Sequence, residues 1–250
     1  MLKKLCKAVL CFVAFSSFTA NANLIVDLEL QLLTDVSGSV STTEYNLQRQ
    51  GYIDAFRDTD VINSILAGAN GSIAVQYIEW AGNSSQSNQV DWFLINSAVS
   101  ANLFADAIAA TTRAFSGSTG IAAAINYGAG LFATNNFDSD RQVIDVSGDG
   151  SENEGGNVSL ARDNALAGEV DTINGITIGN SSGLQSFYQS NVIGGDDAFH
   201  IHAADFESFR VGIETKLKRE ITSTQVPEPS SLALIGLAIV GLFGAKRKHA

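Results

Sequence analysis

Between residues 23 and 225 the 250-residue chain contains neither cysteine nor proline. Its two cysteines, Cys6 and Cys11, fall in the first 22 residues, so the body can form no disulfide and must be held by its core. Its two prolines, Pro227 and Pro229, stand together near the other end. Basic residues are scarce as well. Setting aside Lys3, Lys4, Lys7, Lys246, Arg247 and Lys248 leaves nine of the 15, against 25 acids once Glu228 is also set aside. The body therefore carries a net charge of −16 (9 − 25). That charge argues against nucleic acid and anionic lipid as partners, and it suits attraction of divalent cations or plain solubility. Catalytic signatures are missing too. There is no serine nucleophile elbow, no Cys-His pair and no histidine near the glycine-rich loops, so the reading is non-enzymatic.

The two ends read as targeting segments. Lys3, Lys4 and Lys7 precede an apolar stretch from Ala8 to Phe15, and Ala20-Asn21-Ala22 forms a small-x-small cleavage site. Residues 1–22 are read as a secretory signal peptide, removed by signal peptidase to leave Asn23 as the mature start. The apolar core is well short of the ~20 residues that a spanning helix needs. At the other end Val226-Pro227-Glu228-Pro229-Ser230 is followed by the apolar run Leu232 to Ala245 and then Lys246-Arg247-Lys248. Order, spacing and terminal position resemble the PEP-CTERM sorting signal of Gram-negative bacteria. The resemblance implies that residues 226–250 anchor the chain transiently in a membrane through the hydrophobic helix. An exosortase then cuts near the box and releases or attaches the protein outside the cell. A plain C-terminal anchor is the alternative.

The remainder, residues 23–225, has the length of one medium α/β domain, with no linker, repeat or low-complexity tract. Strand-like runs alternate with helical patterns, the signature of a doubly wound, Rossmann-like, mostly parallel sheet flanked by helices. Strands are expected at Leu24–Val36, Ser72–Trp80, Gln142–Ser147, Ile173–Ile178 and Ala198–His202, with a short edge strand at Val90–Ile95. Ser41-Thr42-Thr43-Glu44 forms a capping box that starts a helix. Gly120–Ala133 reads as a small-residue helix packed close to the sheet. Phe206, Phe209, Ile213, Leu217 and Ile221 give a closing helix a core-facing stripe.

Asp35-Val36-Ser37-Gly38-Ser39 places a carboxylate and two hydroxyls at the end of the first strand. Ser116-Gly117-Ser118-Thr119-Gly120 and Ser147-Gly148-Asp149-Gly150 could add oxygens from other loops. Each candidate ligand is expected just after a strand and before a helix, at the carboxyl edge where open α/β sheets bind ligands. An all-oxygen set suits a hard cation such as Mg²⁺, with Mn²⁺ or Ca²⁺ also compatible.

The pattern Asp35-x-Ser37-x-Ser39, then Thr119, then Asp149 in a Gly-Asp-Gly turn, resembles the metal-ion-dependent adhesion site of von Willebrand factor type A domains. The order and separation of the segments match across essentially the whole body. Tyr77-Ile78-Glu79-Trp80-Ala81-Gly82 and Val143-Ile144-Asp145-Val146-Ser147-Gly148-Asp149-Gly150 further resemble a secreted bacterial family known only as a domain of unknown function. The resemblance implies one ion held directly by Ser37, Ser39 and Thr119 and partly through water by Asp35 and Asp149. One position stays open for an acidic group of an extracellular protein or polysaccharide. The family's usual turn is Thr-Asp-Gly; here Gly148 stands first.

Other readings are weaker. Asp149 to Gly155 lacks the glycine position and the bidentate Glu of an EF-hand. His200 and His202 share a strand face but have no companion ligands for zinc. Asp145 is read as a buried structural carboxylate, with a supporting role behind the ion as the alternative. Trp80, Trp92 and Tyr77 are expected to pack on the sheet, and Glu79 to line the site's rim. The function expected is metal-dependent adhesion outside the cell. The alternatives are a passive matrix protein with a structural ion and a metal-dependent hydrolase.

Overall fold

A computed structural model describes residues 23–222. The expected signal peptide, the Pro-Glu-Pro box and the apolar run Leu232 to Ala245 lie outside the described residues. In chain order the elements are β1 (Leu24–Ile25), β2 (Glu29–Asp35), α1 (Thr42–Arg57), α2 (Thr59–Leu66), β3 (Ile73–Trp80), β4 (Gln86–Ile95), α3 (Ala98–Ala109) and α4 (Ile121–Ala129). There follow β5 (Phe137–Asp138), β6 (Gln142–Gly148), α5 (Val158–Leu166), β7 (Thr172–Ile178), α6 (Ser182–Phe187), β8 (Gly194–Gly195), β9 (His200–Ala203) and α7 (Phe206–Thr222).

The main sheet has the order β4-β3-β2-β6-β7, with β8 and β9 both pairing along the outer edge of β7. The pairs β2–β3, β2–β6, β6–β7 and β7–β9 are parallel; β4 closes one edge as an antiparallel hairpin with β3. Every residue of β2 and β3 is buried, as expected where helices cover both faces of a parallel sheet. Side chains alternate across each strand. Leu30 and Leu32 meet Tyr52 and Phe56 of α1, Phe104 of α3 and Phe209, Ile213 and Leu217 of α7 on one side. Leu33, Ile78 and Ile144 meet Ile121 and Ile125 of α4, Val158 of α5 and Leu184 of α6 on the other.

Local chemistry sets the helix starts. Ser41 Oγ accepts from Glu44 N while Glu44 returns a bond to Ser41 N, the reciprocal cap read from the sequence. Asp58 caps α2, Asn157 caps α5 and Ser97 with Ser100 caps α3. The stripe of α7 is core as expected, with Phe206, Phe209, Ile213 and Leu217 buried and Ile221 partly so.

Several boundaries differ from expectation: the helix expected over Gly120–Ala133 stops at Ala129, and the strand expected over Ala198–His202 runs from His200 to Ala203. The single strand expected over Leu24–Val36 is two: β1 pairs with β5 in a separate small sheet. The break falls at Asp27, whose carboxylate accepts from the backbone N–H of Asn70 (2.8 Å) and Ser72 (3.2 Å). The edge strand expected at Val90–Ile95 begins earlier, at Gln86.

Gln31 explains the small residues of α4. Its amide, buried among apolar neighbours, donates to Gln76 Oε1 (3.0 Å) and to Gly128 O (2.8 Å), so the helix must approach β2 closely. A Cβ on Gly128 would meet Gln31 Oε1 at 2.5 Å and Leu33 Cδ2 at 3.3 Å. Gly128→Ala is therefore expected to destabilise by about 1–3 kcal/mol in urea denaturation, as overpacking does. Gly130→Ala has only ordinary contacts and an unstrained φ of −69°, and is expected within about 1 kcal/mol of the parent, on the stabilising side.

Candidate metal site

The chain leaves β2 toward β3 on one side and β6 toward β7 on the other, so a crevice opens between the carboxyl ends of β2 and β6. Asp35 ends β2, and Asp149 follows β6 by one residue. Thr119 arrives differently. It stands before α4 at the end of the long loop that follows α3, where the sequence reading expected every candidate directly after a strand.

All five candidate side chains meet at this crevice. Asp35 is fully buried, and its Oδ1 accepts from Ser37 N at 2.7 Å. Ser37 Oγ lies 3.2 Å from Ser39 Oγ and 3.3 Å from Thr119 Oγ1. Ser39 Oγ donates to Asp149 Oδ1 at 2.6 Å. Asp35, Ser37 and Thr119 are buried, Asp149 is half-buried and Ser39 is exposed, so the cluster is a pit with Ser39 and Asp149 at its mouth. Asp35 Oδ2, on its floor, has no hydrogen-bond partner.

The electrostatics follow from that burial. Desolvation pushes the Asp35 carboxyl up to about 7, hydrogen bonds from Ser37 oppose the shift and the charge of Asp149 adds to it. Asp149 is raised as well, chiefly by burial, against the bond from Ser39. Two carboxyls drawn together out of water call for positive charge. The donors fit a hard cation: every one is oxygen, two are carboxylates and three are neutral hydroxyls. Among the described residues there is no group of three or more His, Cys, Asp and Glu that could hold a metal.

The residues that hold the loops were not visible in the sequence. Arg113 donates from Nη2 to Val36 O (2.8 Å) and Ser37 O (2.6 Å) and from Nε to Phe115 O (2.9 Å), tying the Asp35 loop to the Thr119 loop. Beside it Gly38 N donates to Gly117 O at 2.6 Å, and a Cβ on Gly38 would sit 3.0 Å from that oxygen. Asn153 clamps Thr119 from the other side, accepting from Thr119 N at 2.8 Å and donating from its own N to Thr119 O at 2.9 Å. Only long-range contacts reveal these roles, although an arginine beside a glycine-rich loop was a signal to follow.

Glu79 is not on the rim. It is fully buried and accepts from Ala114 N and Tyr45 OH, both at 2.8 Å, so it braces the Thr119 loop from behind. Glu152 accepts from Ala122 N in the first turn of α4 and from Glu154 N, the work of a cap. His200 Nε2 pairs with Thr177 Oγ1 at 2.8 Å, and His202 is exposed. Trp80 and Tyr77 are buried in the core, and Trp92 packs edge-on against Phe132. Asp145 is buried beside Lys216 of α7, 2.7 Å from its Nζ.

Residues 25–225 match the family described as protein of unknown function (DUF1194), and residues 225–248 match the PEP-CTERM protein-sorting motif. No curated protein matches the chain. Among solved structures it is similar to proximal thread matrix protein 1 of the mussel byssus, at 14% identity and a TM-score of 0.59 over 80% of this chain and 47% of that one. A structure of the same mussel protein with a zinc-occupied MIDAS motif is 16% identical, with a TM-score of 0.55 over 82% and 47%. The pilus adhesin SpaC of Lactobacillus rhamnosus GG is 14% identical, with a TM-score of 0.53 over 78% and 31%. These likenesses are of fold, which is that of von Willebrand factor type A domains. The chain spans less than half the length of each of these proteins.

Arg113→Met keeps an unbranched stem but is shorter and uncharged, and it removes the contacts with all three carbonyls. It is expected to cost about 1.5–3 kcal/mol, the range for hydrogen bonds to a charged group, read as a lower urea midpoint with an unchanged slope.

Proposed function

The chain belongs to the DUF1194 family, and we propose that it is an exported, surface-sorted binding protein whose contacts depend on a divalent cation held by Asp35, Ser37, Ser39, Thr119 and Asp149. The observation that carries this reading is Asp35 Oδ2, a carboxylate oxygen buried without a hydrogen-bond partner on the floor of an all-oxygen pit. Leaving such an atom unpaired is costly, and a cation removes the cost. When bound, Mg²⁺, or Mn²⁺ or Ca²⁺ in its place, retains residual positive charge beside only two carboxylates and so attracts an external one. The three hydroxyls would hold the ion directly and the carboxylates partly through water. Ser39 and Asp149, at the mouth, stand where a partner enters.

A groove beside Asp149, lined by Thr43, Glu44, Leu47, Asp205 and Phe206, offers that partner further contacts. Its acids favour a carboxylate flanked by neutral or basic groups, on an extracellular protein or polysaccharide. The site loops contain no histidine and no cysteine, which supports binding over catalysis. Processing in this reading removes residues 1–22 and cuts near Pro227, leaving residues 23–225 as the working domain. A passive matrix component with a structural ion is the second reading, favoured by the depth of Asp35 and Ser37.

Calorimetric titration of the exported protein with Mg²⁺, Mn²⁺ and Ca²⁺ is expected to give saturable binding that Asp35→Ala abolishes while the circular dichroism is unchanged. At a hundredfold excess over Kd the ion should add about 2.7 kcal/mol of stability. A folded wild type that binds none of the three contradicts the reading. Binding of the ion with no effect of chelation on attachment to carboxylate-bearing surfaces would favour the passive role instead.

A further inference from the structure

A second group of charges, separate from the loops, lies in the core between the sheet and α7. Lys216 of α7, Asp145 of β6 and Glu220 one turn after Lys216 are all fully buried. Lys216 Nζ is 2.7 Å from Asp145 Oδ1 and 2.5 Å from Glu220 Oε1. The contact with Glu220 is a hydrogen bond, but the one with Asp145 is not angled as one. Asp145 Oδ2 and Glu220 Oε2 have no hydrogen-bond partner. Asn174, the register partner of Asp145 on β7, donates to Glu220 Oε1 at 2.8 Å, and the Phe199 ring covers Lys216 Nζ at 5.3 Å.

As an ion cluster this is a poor device for stability. It takes three charges out of water and leaves three of its four carboxylate oxygens without a hydrogen bond; an apolar replacement of similar volume commonly does as well or better. As a set of reactants it is well arranged. An amine and a carboxyl are in contact, a second carboxylate touches the amine, and water is excluded.

The geometry points to an intramolecular amide bond between Lys216 and Asp145, formed with Glu220 as proton relay. Glu220 takes a proton from the Lys216 ammonium, and the freed amine attacks Cγ of the protonated Asp145 carboxyl. A C–N bond forms, the relayed proton goes to the departing hydroxyl, the C–O bond breaks and one water leaves, while the attached nitrogen gives a second proton to Glu220. An ammonium, a carboxylic acid and the Glu220 carboxylate thus become an amide, water and a protonated Glu220, with no oxidant or reductant required. Burial, the main influence on Asp145, raises its carboxyl against the pull of Lys216 and so favours the protonated, attackable form.

The released water has a way out. Asn174 and Phe199 also line a cavity of about 20 Å³, room for one water, that reaches the exposed Asp196 and Asp197. The bond would fasten β6, whose end carries Asp149, to α7, the last element before the sorting motif. A body without cysteine would thereby gain a covalent brace along the line from its candidate site to its sorted end.

Peptide mapping of the folded full-length chain tests this wherever its ends are cut. Trypsin should yield Gln142–Arg162 joined to Val211–Lys218, lighter than their sum by one water and uncut after Lys216, because an amide-linked lysine is no longer a cleavage site. Tandem spectra must place the link on Asp145 and Lys216, since ring closure at Asp149-Gly150 also loses a water without joining the two peptides. Lys216→Met should eliminate the joined species. Glu220→Gln, which keeps both reacting groups, should slow its appearance; an equal rate would overturn the relay role. Separate Gln142–Arg162 and Val211–Lys216 peptides from folded wild-type protein would overturn the proposal.

Discussion

The parallel pairing of β2 with β6 is the constraint on which the rest of the molecule depends. Its register sets Glu29 through Thr34 beside Gln142 through Ser147, so both strands deliver a carboxylate to one edge, Asp35 on the last residue of β2 and Asp149 just beyond β6. A slip of one residue would turn each side chain to the opposite face, undoing the burial of Asp35 and the alternation that fills both cores. Because β3 and β7 lie on opposite flanks of this pair, no helix crosses above it and the crevice stays open. The loops are then fixed from outside, by Arg113 and Asn153, so the hydroxyls of Ser37, Ser39 and Thr119 are in place before any ligand arrives.

The chain buries several acids, and their surroundings separate them by role. Glu79 is satisfied by a backbone N–H and a phenol, and braces a loop. Glu29 accepts from Asn135 and Ser139 near the opposite edge. Asp145 has a lysine against it in the core. Asp35 has hydrogen bonds to one oxygen, none to the other and no basic side chain paired to it. Among these four acids Asp35 alone combines full burial with an oxygen that no hydrogen bond reaches and no basic side chain beside it.

Much of this was legible in the sequence where the determinants are local. The Ser41–Glu44 cap involves residues three apart, and the apolar stripe of α7 repeats at helical spacing, so both were readable. The fold and the five candidate residues followed from motif order along the chain. The break at Asp27 depends on backbone donors more than forty residues away, and Glu79, polar in a strand, could be placed on a rim only until Tyr45 and Ala114 were seen to enclose it. Lys216 and Glu220 share the face of Phe209 and Ile213 at the spacing of an inward stripe; reading only apolar members of that stripe hid them. Arg113 and Asn153 act through contacts that no local pattern encodes.

Anomalous diffraction from crystals of the exported protein grown with Mn²⁺ tests the central claim most directly, because it locates the ion instead of inferring it. The account predicts one strong peak within coordination distance of the side-chain oxygens of Ser37, Ser39 and Thr119, with Asp35 and Asp149 beside it. A peak elsewhere, or none at this pit with the five side chains ordered, would contradict it.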